Sequence, residues 1–143
     1  LNLGAGPRRL SGLGAGDLTI ALPEGTSLVS QPGPDFVVHH LRPVTVLGQE
    51  ASSCGVYLGH HPSYQHRQTR DLKDKVEEKA GEMLGKACKW QAWDRKGGRK
   101  MLEVIVPHPA GQGLLIHAFC NATDDQAMAP LKTMLESLKA VQP

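Results

Sequence analysis

The chain has 143 residues, 40% of them hydrophobic and 21% charged, with a formal net charge of +2. That length suits one domain able to bury a real core without metal or disulfide staples. So small and scattered a positive charge gives no electrostatic ground for a nucleic-acid or membrane-surface partner, and no apolar run approaches the roughly 18 residues of a membrane span. The opening Leu1-Asn2-Leu3-Gly4 has neither an initiator Met nor a signal-peptide pattern and reads as a mature form or a trimmed piece.

Residues 1–16 carry Gly4, Gly6, Gly12, Gly14 and Gly16 and read as a flexible lead-in to a single domain over 17–143. They do not make a phosphate-binding loop, which needs a strand before it and a helix after it. Asp17 to Leu22 alternates Leu18, Ile20 and Leu22 with Asp17, Thr19 and Ala21, the pattern of a half-buried strand. Pro23-Glu24-Gly25 ends it with turn chemistry. Phe36 to Leu41, Val44 to Leu47 and Cys54 to Leu58 predict three more strands.

From Asp71 to about Lys89 the residues Leu72, Val76, Ala80, Met83, Leu84, Ala87 and Cys88 recur at three and four, which predicts an amphipathic helix. Asp71 with Lys75 and Glu82 with Lys86 support it. Gly81 and Gly85 would each cost it about 1 kcal/mol against Ala, and their shared face suggests close approach to a sheet or a partner. Trp90 to Arg95 and Lys100 to Val106 flank Lys96-Gly97-Gly98-Arg99 as a hairpin, and Leu114 to Cys120 is a further strand. Trp90 and Trp93, three apart on a strand, face opposite sides, so one of them is expected to be exposed. A closing helix follows, with Thr123 and Gln126 at capping-box spacing and an apolar stripe of Leu131, Met134, Leu135, Leu138 and Val141. Its regular part is predicted to begin near Pro130, which breaks a hydrogen bond deeper in a helix.

The predicted class is therefore α+β: an antiparallel sheet of about six to seven strands with two helices packed on it, in the order ββββ-α-βββ-α. Leu18-Thr19-Ile20-Ala21-Leu22-Pro23-Glu24-Gly25, Asp35-Phe36-Val37-Val38, Thr123-Asp124-Asp125 and Ser137-Leu138-Lys139 resemble the PsbP-like fold over roughly 17–141. That fold is shared by photosystem PsbP proteins, Ran-binding Mog proteins and bacterial lipoproteins. More loosely, the chain is similar to immunity proteins paired with type VI secretion toxins. The resemblance implies a periplasmic or otherwise exported protein that binds and neutralises a secreted bacterial toxin, or a small-ligand or assembly-factor domain.

Seven histidines are the compositional oddity, three of them in the loop around His60, His61 and His66. A zinc site needs three or four converging ligands. His39 and His40, adjacent on a strand, point to opposite faces, and a set from His60 or His61, His66 and a strand histidine matches no known spacing. A histidine-based metal-dependent hydrolase is the competing enzyme reading. No nucleophile elbow or Cys/His signature is present, so no catalytic residue, metal or cofactor is expected. Cys54, Cys88 and Cys120 read as buried small hydrophobes, or as one disulfide and a spare thiol. The polar, aromatic loop is the expected surface for another protein, with His60, His61, Ser63, Tyr64, His66 and Arg67 as binding residues. Tyr64 and Arg67 are its exposed anchors, and the Gly111 turn lies nearby.

Overall fold

Alternating apolar residues pair into ladders over most of this chain. The computed structural model describes residues 4–14, 16–43, 52–68, 76–95 and 97–141. Among them run β1 (Gly6–Leu10), β2 (Leu18–Leu22), β3 (Thr26–Pro32), β4 (Val37–Pro43), β5 (Ser53–Gly59), β6 (Glu77–Met83), β7 (Lys86–Asp94), β8 (Lys100–Pro107), β9 (Leu115–Ala122), α1 (Asp125–Glu136) and β10 (Lys139–Ala140). A 3-10 turn, Gln65–Gln68, interrupts the connection after β5. Strands take up 54% of the described residues, so the two-helix α+β expectation is corrected to a mostly β protein.

Seven strands form one antiparallel sheet in the order β3-β4-β5-β9-β8-β7-β6, and β1-β2-β10 form a small second sheet. The large sheet is two meanders, β3 to β5 and β6 to β9, joined along the β5–β9 seam. Its inner face presents Leu41, Val56, Leu58, Trp90, Leu102, Val104, Ile116 and Ala118. Leu10, Leu18, Ile20 and Leu22 of the small sheet cover it, together with Met128, Leu131, Met134, Leu135 and Leu138 from α1 and its end. One continuous apolar core results, the dominant source of stability in a domain of this size.

The first predicted helix is overturned. Glu77–Met83 and Lys86–Asp94 are a hairpin, with Met83 opposite Lys86; residues 71–75 lie outside the described residues. Leu84 at φ 56° and Gly85 at φ 78° make the two-residue left-handed turn that suits the strand twist. Gly81, a liability in a helix, is what this hairpin requires. A Cβ there would overlap the Trp90 indole and the Glu136 carboxylate. Within the hairpin only Met83, Trp90 and Trp93 are buried, while Ala80 and Ala87 are exposed, and the strand arrangement brings Trp90 into the core.

Other differences are smaller. β1, within the stretch read as a lead-in, pairs with β2 from Gly6↔Leu22 to Leu10↔Leu18. β3 was not predicted, because Thr26–Pro32 is mostly polar and only Thr26 on it is buried. Val44 to Leu47 lies outside the described residues. In α1 the N-cap is Asp124, accepting from the Ala127 N–H at 2.7 Å, and Pro130 sits inside the helix instead of at its start. Gln126, whose carbonyl loses its partner to the proline ring, shares the exposed face with Pro130.

Candidate functional site

The outer face of the large sheet, opposite α1, gathers the unusual side chains. Alternation along β4, β5, β8 and β9 places Val38, Tyr57, Glu103, Ile105, His117 and Phe119 on this side. Phe36 stacks on Tyr57 with ring centroids 5.6 Å apart. Gly55, opposite Phe119, has no Cβ to displace the Phe119 ring, so the ring lies flat on the strand.

Glu103 is the centre of the arrangement. It sits in the apolar run Met101-Leu102-Glu103-Val104-Ile105 and is 1% exposed. An unpaired carboxylate there would be strongly unfavourable, and this one is fully engaged. Oε1 accepts from the Gln65 N–H at 2.7 Å and His117 Nε2 at 2.8 Å; Oε2 accepts from the His66 N–H and Trp93 Nε1, each at 3.0 Å. Burial pushes the carboxyl up, but the hydrogen bonds from His117, Gln65 and His66 outweigh it and hold Glu103 below the ordinary carboxylate value. The loop after β5 is thereby tied by its backbone to the middle of the sheet.

Each expected binding residue now has a place. His60 and His61 are exposed, with ring centroids 6.4 Å apart. His60 also neighbours Gly113, in the turn that begins at Gly111. Ser63 is exposed and, with His61, Gln65, Tyr57, His117 and Phe119, lines an open recess of about 300 Å³. Arg67 is exposed, its guanidinium 5.5 Å from the Tyr64 ring centroid.

Tyr64 is not the exposed anchor that was expected. It is half-buried, its hydroxyl accepts the Ile105 N–H at 3.1 Å, and its ring stacks on His66 at 5.2 Å and meets His117 edge-on at 5.9 Å. Tyr64 and His66 therefore fasten the loop, while His60, His61, Ser63 and Arg67 are presented by it. His39 and His40 do face opposite sides: His39 is buried in the inner layer against Ser30, and His40 meets Gln31 outside. Trp90 and Trp93 also face opposite sides, yet neither is exposed, since Trp93 is fixed by Glu103.

Glu103 and His117 were not singled out as a pair from the sequence. The usable signal was a lone carboxylate in an apolar strand, which needs buried donors. The histidines around the loop do not converge: among the described residues no group of three or more His, Cys, Asp or Glu is placed to hold a metal ion. No family model matches the chain, and no curated protein or solved structure matches it either.

Proposed function

We propose that this chain is a non-enzymatic protein-binding domain whose recognition surface is the outer sheet face beside the 60–67 loop. The saturated Glu103 carboxylate carries this reading. With four N–H donors on its two oxygens it has no lone pair left to take a substrate proton, so its work is positional. It holds a polar loop rigidly over an aromatic sheet face, which lowers the ordering cost of binding. The recess then offers His61, Ser63, Gln65 and Tyr57 to a partner side chain. No helix among the described residues is long and apolar enough to cross a membrane. The narrower form of the proposal, an exported immunity protein directed at a secreted bacterial toxin, rests on the sequence resemblance.

The test is capture from the source cell's secreted and periplasmic fractions, comparing three immobilised proteins. The unaltered chain and a Lys139→Glu control on the opposite layer should recover the same partner. Ser63→Arg with His61→Glu, which fills and charges the recess, should lower its affinity at least tenfold in titration calorimetry. Equal affinity for all three would place the interface elsewhere, and turnover of a substrate abolished by His117→Ala would replace binding with catalysis.

A further inference from the structure

The β5–β9 seam brings two cysteines face to face, Cys54 opposite Cys120. Backbone alternation decides what kind of pair this is. The Ala80 carbonyl accepts from Lys132 and the Glu82 N–H donates to Glu136, so even-numbered residues of β6 turn their backbone groups away from β7. In an antiparallel ladder both groups of a residue point to the same side and alternate along the strand. Carried through the registers of β6–β7 and β7–β8, this sends the odd-numbered residues of β8 toward β7. The Ile105 N–H agrees: it meets the Tyr64 hydroxyl just beyond the last β7–β8 pair, Gln91↔Glu103. Carried on through β8–β9 and β5–β9, the same alternation makes Cys54↔Cys120 a pair without mutual backbone hydrogen bonds.

Such pairs hold their Cα atoms about 4.5 Å apart with the side chains closest, within the roughly 4.4–6.8 Å that a disulfide spans. Both residues are on the inner face, 4% and 1% exposed, both are free thiols in this structure, and the neighbouring Cys120 together with burial pushes the Cys54 thiol up. Cys120 Sγ also lies 3.3 Å from Met128 Sδ, so the sulfurs are enclosed by α1. Cys88 stands opposite Gly81.

We propose that Cys54 and Cys120 form a disulfide that staples the two meanders together across their seam, leaving Cys88 as the free thiol. In the step, two S–H bonds break and one S–S bond forms. The S–S bond of one molecule of a disulfide oxidant, such as oxidised glutathione, breaks, and its two sulfurs take up the two electrons and the two protons to become two thiols. Because both thiols are enclosed once the core closes, the exchange takes place while the chain folds.

The unaltered chain is refolded in a buffer of reduced and oxidised glutathione, unfolded, alkylated with iodoacetamide and weighed. One alkyl group, located on Cys88, is expected before reduction, and three after it. Three alkyl groups before reduction, or a linked peptide containing Cys88, would overturn the assignment. The oxidised protein should also melt about 10 °C above the reduced one, given the long loop that the bond closes. Cys54→Ala and Cys120→Ala should each abolish that difference. An oxidised, correctly linked protein that melts no higher than the reduced one would refute the staple.

Discussion

Glu103 shows how one carboxylate can decide the shape of a loop. Replacing it by Gln keeps the size but sets an amide N–H₂ against N–H donors, at a position that is 1% exposed. A loss of about 3 kcal/mol of folding stability is expected from denaturant titration, together with faster amide exchange at Gln65 and His66, whose N–H groups it binds. Tyr64→Phe removes only the acceptor of the Ile105 N–H and should cost about 1 kcal/mol. Acid should act in two stages. Burial pushes the His39 and His108 imidazoles below their usual value; for His39 the Ser11 backbone opposes this and His40 reinforces it. The unfolded chain therefore binds more protons there, and stability falls as pH drops below about 6.5. Glu103 is shifted down as well, so its contribution is present above the unfolded value of about 4.3 and is lost as pH falls through its lower folded value. Melting temperature followed from pH 8 to pH 3 should show both declines. His39→Leu should shrink the first alone, and a flat profile between pH 7 and pH 5 would contradict the assignment.

The β6–β7 hairpin marks the limit of reading elements from periodicity. Met83 and Trp90 fit a helical stripe and also the inner face of two paired strands, and local spacing cannot choose between them. The choice is made by Gly81, which leaves room for the Trp90 ring, and by the left-handed turn at Leu84-Gly85. Gly81→Ala should therefore destabilise by about 2 kcal/mol or more, because the rigid Trp90 indole and the Glu136 carboxylate that binds it meet the added methyl; in the helix first predicted it would have been stabilising. Leu13 offers the opposite case. It is 39% exposed and held at φ 60° between β1 and β2, a conformation that asparagine tolerates better. Leu13→Asn should raise stability by about 0.5–1 kcal/mol in thermal melts.

For the whole molecule, the main structural hazard is the open edge of a seven-stranded sheet. At β6 that edge is closed by α1. Lys132 donates to the Ala80 carbonyl at 3.1 Å, and Glu136 accepts from the Glu82 N–H at 2.8 Å and from Trp90 Nε1 at 3.2 Å. Glu136→Ala would leave the Trp90 donor buried without its partner and bare the edge. A loss of about 2 kcal/mol is expected, with concentration-dependent association in light scattering, which should be absent in Lys139→Glu.

The sequence by itself determined β2, β4, β5, β8 and β9, the Leu131, Met134 and Leu135 part of the closing helix's stripe and the opposed faces of Trp90 and Trp93, because each depends on a few neighbouring residues; the helix ends at Glu136, so Leu138 and Val141 fall beyond it, around the short strand β10. It also indicated the 60–67 loop as polar and aromatic. Only the tertiary structure decided that β6 and the first part of β7, up to Lys89, are strand and not helix, that β3 takes the sheet's far edge despite its polar composition, and that Glu103 reaches across to fasten the loop. Those outcomes depend on pairings between residues dozens of positions apart, such as Glu103 with Gln65 or Gly81 with Glu136. Such a pairing has no local signature, since what stabilises it is the partner that the rest of the fold supplies.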